Sequence, residues 1–192
     1  MAALVREKKQ LMSASEIDRT LVRLAHEILE KTEKLDKLAF IGIRRRGVPL
    51  AQRLAAKIRQ LEKREIPVGT LDISLYRDDL STIGEKPVLN ATEINFPVTG
   101  KDIVLTDDVL YTGRTVRAAL DGLFHHGRPA RVQLLALIDR GWRELPIEAR
   151  YVGRMVQTTA NEIIEVKFSE VDGTEKVLLV EKVEQPAASG TA

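Results

Sequence analysis

VLTDDVLYTGRTVRAAL, residues Val104 to Leu120, decides how this chain is read. An apolar run leads into two adjacent carboxylates, Asp107 and Asp108, and then into a threonine- and glycine-containing turn that opens a helix. The run predicts a strand that ends at the acidic pair. The two side chains then point to opposite sides of the strand direction and can address neighbouring hydroxyls or a hydrated cation. Thr112, Gly113, Arg114 and Thr115 follow at once. Their backbone N–H groups fall at the start of a helix predicted over Val116 to Phe124, where unpaired donors and the positive end of the helix dipole favour a phosphate. Gly113 lets the main chain approach an anion closely, and the threonine hydroxyls add donors. Acids followed directly by an anion cradle suit a ribose phosphate.

Other phosphate loops fit these residues poorly. A Walker loop needs a Gly-Lys-Ser/Thr ending and a dinucleotide fingerprint needs Gly-x-Gly-x-x-Gly after a strand; neither occurs in the chain. A phosphatase or receiver would use a strand-end aspartate as nucleophile, which leaves the anion-type turn behind the pair unexplained. The plain alternative is that the aspartates only cap the helix and face solvent.

The segment resembles the phosphoribosyl diphosphate (PRPP) motif of type I phosphoribosyltransferases. IGIRRRG at Ile41 to Gly47 looks like the pyrophosphate loop of that family, LDISLYRDDL at Leu71 to Leu80 like the start of its flexible catalytic loop, and DRGWRELPI at Asp139 to Ile147 continues the pattern. Together they resemble the pyrimidine operon attenuation regulators that also have uracil phosphoribosyltransferase activity. The resemblance runs from about Ser13 to Val183. It implies an α/β fold with a central parallel sheet flanked by helices and a small β hood.

Composition is compatible with this. The 192 residues, 44% of them hydrophobic, suffice for one well-buried core, so a single domain is expected over the whole chain. No cysteine is present, which excludes disulfides and thiolate metal sites. The start, MAALVREKKQ, lacks the apolar run of a signal peptide, and no uncharged stretch reaches the roughly 18 residues of a membrane helix. A cytoplasmic protein without membrane partners is expected. A net charge of +2 permits nucleic-acid binding without arguing for it.

Ser13 and Glu16 have capping-box spacing, and Ile17, Leu21, Leu24 and Ile28 recur at helical intervals, which predicts a helix over about Ala14 to Thr32. LAFIGI suits a buried parallel strand, and Val48, Ala51, Leu54, Ala55, Ile58 and Leu61 mark a second amphipathic helix. A strand is expected over Val68 to Leu75, then a long excursion from Tyr76 to about Pro97, and core strands at Asp102 to Leu105 and Arg131 to Ile138. Alternating strands and helices imply right-handed crossovers, with ligands at the carboxyl ends of the strands. After Arg140 come short β segments, Tyr151 to Val156, Glu162 to Phe168 and Val177 to Glu181, with Asp172-Gly173 as the turn between the last two. The tail from Gln185 to Ala192 is small and polar, and disorder is expected there.

The resemblance implies transfer of ribose 5-phosphate from PRPP to N1 of uracil, giving UMP and diphosphate. Arg44, Arg45 and Arg46 can embrace the diphosphate, with a solvated basic turn as the alternative; the resemblance carries Arg46 and Gly47. Asp107 and Asp108 engage the ribose hydroxyls as catalytic residues, while Val109, Leu110, Tyr111, Thr112, Gly113, Arg114 and Thr115 cradle the nucleotide. Mg²⁺ is held mainly by PRPP and water near the two acids, with no direct protein metal site. Arg77, as a catalytic residue, and Asp79 resemble loop residues that close over diphosphate and exclude water; surface salt-bridging is the alternative. The base is expected under the hood made by the segments after Ile138. There Tyr151-Val152 resembles a base-covering pair, with Arg140 and Val156 beside it, and core packing is the competing reading of Tyr151. The residues by themselves do not separate uracil from hypoxanthine. His26, His125 and His126 are not assigned catalysis.

A second function class is a UMP-responsive RNA-binding attenuator that recognises a hairpin in a pyrimidine mRNA leader. Arg23, Lys31, Arg143, Arg154 and Thr158 stand at positions matching the RNA-binding relatives. Val22 and Trp142 replace a threonine and a histidine, and Glu148 stands where an arginine occurs. The last exchange weakens binding to a polyanion, whereas Trp142 can stack on an unpaired base or serve as a dimer contact. Enzyme only, with the RNA switch lost, and a purine phosphoribosyltransferase are the alternatives. The resemblance also implies a homodimer or homotetramer.

Overall fold

The structure is a computed structural model and describes residues 5–74, 76 and 92–183. Its elements are β1 (Val5–Ser13), α1 (Ala14–Glu30), β2 (Leu38–Ile43), α2 (Gly47–Glu62), β3 (Val68–Leu71), β4 (Asp102–Leu110), α3 (Arg114–Phe124), β5 (Arg131–Asp139), β6 (Tyr151–Met155), β7 (Glu162–Lys167), α4 (Ser169–Asp172) and β8 (Lys176–Lys182). Five strands form one parallel sheet in the order β3-β2-β4-β5-β6. The other three form an antiparallel sheet in the order β1-β8-β7.

Helices cover both faces of the parallel sheet because its strands are apolar on both sides. Every residue of β2 is buried. Phe40 and Val104 pack with the stripe Leu21, Leu24 and Ile28 of α1 and with Leu50, Leu54 and Ile58 of α2. Their neighbours Ile41 and Leu105 face the other way, onto Val116, Ala119 and Leu123 of α3. The capping box starts α1: Ser13 Oγ accepts from Glu16 N while Glu16 reaches back to Ser13 N at 2.8 Å. The antiparallel sheet contributes Ile164, Val166 and Val177 to the first core, joined by Phe168 just after β7, and forms the hood.

Strand order fixes where a ligand can sit. From β2 the chain crosses through α2 to β3, then returns to pair β4 on the opposite side of β2. The loops after β2 and β4 therefore diverge and leave a crevice at the carboxyl ends of those two strands.

Besides the short helix α4 at the expected turn between β7 and β8, four elements differ from what the sequence predicts. The edge strand β1 was not foreseen, because VREKKQ is polar and exposed and lacks an apolar face. β3 stops at Leu71 because the Asp72 carboxylate accepts from Ser74 N and Oγ and turns the chain. β4 runs through the acidic pair to Leu110, held by pairing with β5 at Asp107↔Ala136 and Val109↔Ile138. Tyr151 and Val152 lie not in the hood but in β6, which pairs in parallel with β5 as the fifth strand of the main sheet.

Candidate active site

The loop after β2 and the end of β4 touch through their backbones. A Cβ on Gly47 would stand 2.2 Å from the Thr106 carbonyl oxygen. The buried Thr106 hydroxyl donates to Gly47 O at 2.8 Å and locks the contact. Only glycine permits this approach, and it places the loop Arg44 to Gly47 beside Asp107 and Asp108. Within the loop the Arg44-Arg45 peptide is cis, Arg44 N donates to Leu71 O at 3.0 Å, and Arg44 lies 3.7 Å from Glu93. Arg46 caps α2 and makes a two-bond ion pair with Asp172 of the hood, at 2.6 and 3.1 Å.

Asp107 is removed from solvent and Asp108 is half-buried beside it. Asp107 is 6% exposed and accepts from Asp108 N at 3.0 Å. Burial, and then the neighbouring Asp108 carboxylate, hold Asp107 well above the usual carboxylate range. Burial also pushes Asp108 up, against the pull of Arg46. Such a pair gains from a ligand that brings hydroxyl donors or a cation.

Behind the pair, Gly113 takes φ +93° as the residue preceding α3, with Leu145 and Ile147 packed against its α-carbon side. The first turn of α3 contains no acidic residue, so its N–H groups present an uncompensated positive end. Thr112 O accepts from Glu144 N and Leu145 N, Thr112 Oγ1 lies 3.4 Å from Arg114 N, and Arg114 pairs with Glu144 at 2.7 Å. The segment 144–145 thus braces the cradle.

Next to it the Tyr111 ring, 40% exposed, lies over the Arg140 guanidinium at 4.0 Å. Arg140 is 7% exposed; its Nε donates to Thr158 Oγ1 and its Nη2 to Glu162 O. Val156 N donates to Asp139 O at 2.8 Å, which sets Val156 beside Arg140.

Tyr151 is placed otherwise than a base-covering residue. It is 1% exposed, packs in the core on the α1 side under Lys31 Nζ, and opens β6 opposite Leu135, at the end of the strand away from the carboxyl ends where the crevice lies. Val152 O accepts from Arg23 Nη2 at 3.0 Å. Thr158 is also buried, its hydroxyl occupied by Arg140 and its carbonyl by Trp142 Nε1, so it does not present a surface contact. Arg143 is spent on Asp139, on Ile147 O and, across to the segment after β4, on Tyr111 O. Arg23 and Arg154 line an open groove of about 280 Å³ with Glu16, Arg19 and Thr20. Lys31 pairs with Glu27 at 2.6 Å, and Trp142 and Val22 are exposed. Arg77, Asp79 and the tail from Gln185 lie outside the described residues. The sequence reading missed Thr106 and Asp172. The first precedes the acids directly, and the second was legible only as a turn residue.

Among the described residues no group of three or more His, Asp or Glu is gathered to cage a metal ion. Two adjacent carboxylates near the carboxyl end of β4 fit a Mg²⁺ that keeps its water and is shared with substrate phosphates.

Comparison with known proteins agrees with this geometry. Residues 9–171 match the model of the phosphoribosyl transferase domain. The bifunctional protein PyrR of Pelotomaculum thermopropionicum is 54% identical over 181 residues, covering 94% of this chain and all of that protein. The PyrR proteins of Acetivibrio thermocellus and Thermus aquaticus are 56% and 55% identical over 90% and 93% of this chain, and over 94% and 98% of their own. Among solved structures, a hypoxanthine-guanine phosphoribosyltransferase from Bacillus anthracis superposes with a TM-score of 0.67 at 21% identity, covering 93% of this chain and 99% of that one. A hypoxanthine phosphoribosyltransferase from Trypanosoma cruzi gives 0.70 at 17% identity, over 91% and 96%. These two structures share the fold. The chain therefore belongs to the phosphoribosyl transferase domain family and, within it, to the bifunctional PyrR proteins.

Proposed function

We propose that the chain transfers the ribose 5-phosphate of PRPP to uracil, giving UMP and diphosphate. The observation that carries the reading is the crevice between β2 and β4, where a basic loop, a buried acid pair and a helix N-terminus converge on one space. Each part answers one portion of PRPP. The α3 turn binds the 5-phosphate, Asp107 and Asp108 accept from the ribose hydroxyls, and Arg46 draws charge from the diphosphate as the C1′–O bond breaks. N1 of uracil supplies the electron pair of the new C1′–N bond as the C1′–O bond to diphosphate breaks, and the N1 proton leaves with the departing diphosphate. Ionised once the ribose hydroxyls and the nearby cation offset their burial, the acids stabilise the positive charge that builds on the sugar. Mg²⁺, carried by PRPP near the two acids, supplies further neutralisation of the leaving group.

The base belongs beside Tyr111, Arg140 and Val156, with Tyr151 supporting the sheet from behind. The Arg140 guanidinium is fixed on two sides and offers its remaining N–H groups to a carbonyl-bearing base. The protein acts in the cytoplasm as a homodimer or homotetramer.

The second function is UMP-responsive binding to a pyrimidine leader hairpin, favoured by the arginine-lined groove between α1 and β6 at Arg19, Arg23 and Arg154. Two assays on one preparation test the pair of functions. Uracil is expected to be consumed with PRPP in preference to hypoxanthine or guanine; preference for a purine contradicts the reading. UMP is expected to tighten hairpin binding at fixed salt, and absence of RNA binding leaves the enzyme alone.

A further inference from the structure

The turn between β7 and β8 is fastened to α2 at two places. Arg53 reaches Glu170 at 2.7 Å and Glu175 at 2.7 Å while its guanidinium lies over the Phe168 ring at 5.0 Å. Arg46 makes the second fastening, to Asp172, through Nε at 3.1 Å and Nη2 at 2.6 Å. The two ion pairs differ in what they hold. Arg53 ties helix to hood and has no contact with the crevice, whereas Arg46 belongs to the loop beside the acid pair.

Asp172 is itself immobilised. Its Oδ2 also accepts from Phe168 N at 2.9 Å, and its own N–H donates to Phe168 O at 2.7 Å. The carboxylate therefore grips one whole edge of the Arg46 guanidinium and sets its plane. No described residue bonds Nη1 on the other edge, and the loop that carries this arginine lies against β4 at the acid pair through Gly47 and Thr106. A planar guanidinium held along one edge presents the donors of its second in a fixed direction, which suits a phosphate oxygen pair.

We propose that Asp172 is a positioning residue for diphosphate, holding Arg46 so that its second edge meets the diphosphate of PRPP. The proposal rests on the reaction assigned above and extends it to a hood residue distant in sequence. Without the carboxylate, Arg46 samples several rotamers and must be ordered when the anion arrives.

Titration calorimetry with inorganic diphosphate and Mg²⁺ tests it without turnover. Asp172→Asn is expected to weaken diphosphate binding about tenfold, and Asp172→Glu to recover part of the loss. Arg53→Gln, which loosens the same turn without touching Arg46, is expected to bind as the wild type does. In an Arg46→Gln background, Asp172→Asn is expected to add nothing. Steady-state kinetics should show KM for PRPP raised, with kcat and KM for uracil within about twofold. Equal losses in Asp172→Asn and Arg53→Gln, or additive losses with Arg46→Gln, overturn the proposal. A wild-type chain that binds diphosphate with this pattern yet forms no UMP overturns the assigned reaction and leaves the role of Asp172 standing.

Discussion

Replacing Gly47 by alanine adds one methyl group where the crevice is built. The new Cβ would lie 2.2 Å from Thr106 O and 3.1 Å from Thr106 C. A carbon and a carbonyl oxygen rest no closer than about 3.3 Å, so the loop and β4 must part by about 1 Å. Neither side has an easy way to yield: one is the first turn of α2, the other a strand paired on both sides, and Thr106 Oγ1 binds them together. Overpacking of this kind costs about 1–3 kcal/mol, offset by up to about 1 kcal/mol because alanine is the better helix former. The net loss corresponds to a melting temperature lower by a few degrees, at about 2–4 °C per kcal/mol for a chain of this size. Activity should suffer more. Moving the basic loop about 1 Å from the acid pair is expected to lower kcat/KM on the order of 100-fold. Gly100→Ala is the control: at φ +77°, with nothing within 4 Å of its Cβ, it strains a turn remote from the crevice. It should cost similar stability and leave activity intact. The reasoning fails if Gly47→Ala, folded by thermal melting, keeps kcat/KM within about threefold of wild type, or if Gly100→Ala loses as much.

Asp107→Asn should stabilise the ligand-free protein by about 1 kcal/mol while abolishing turnover, because it removes a carboxylate that burial disfavours. The same group gives wild-type stability a pH slope. Its folded pKa exceeds the unfolded one, so the folded state holds the extra proton, and stability falls as pH rises from the ordinary carboxylate value through the raised one. Denaturant melts should show that slope in wild type and a flatter one in Asp107→Asn. Arg140→Gln should raise KM for uracil about tenfold or more with KM for PRPP little changed; equal effects on both substrates would mean that Arg140 only supports the fold. Arg154→Glu should weaken hairpin binding and reduce its salt dependence without lowering UMP formation, and unaltered RNA affinity would move the interface elsewhere.

The strand-to-helix units were legible because they repeat one physical pattern. LAFIGI is apolar throughout, and the buried strand β2 covers those same residues, while the spacing of Ile17, Leu21, Leu24 and Ile28 matches the buried stripe of α1. The acids and the α3 cradle were legible from the local run of apolar strand, carboxylates and glycine turn, although β4 continues past the pair to Leu110, where pairing with β5 rather than local sequence sets its end. Long-range pairing was not. Nothing in Tyr151 to Met155 distinguishes a parallel edge strand from a hood strand, because both read as a short β segment, and β5 supplies the missing partner. Polar β1 becomes a strand only against β8. Asp172 shows the limit most clearly. Its neighbours describe a turn, and its bond to Arg46 joins residues separated by most of the chain.

The central claim is that Asp107 and Asp108 form the ribose site of a phosphoribosyl transfer to uracil. Its most direct test is the rate of UMP formation from uracil and PRPP with Mg²⁺ by wild type, Asp107→Asn and Asp108→Asn, each shown folded by thermal melting. Robust turnover is expected in wild type and a loss of at least about 100-fold in either variant, in kcat as well as kcat/KM, because ribose contacts strengthen as charge builds on the sugar. Turnover in both variants close to wild type would contradict the claim.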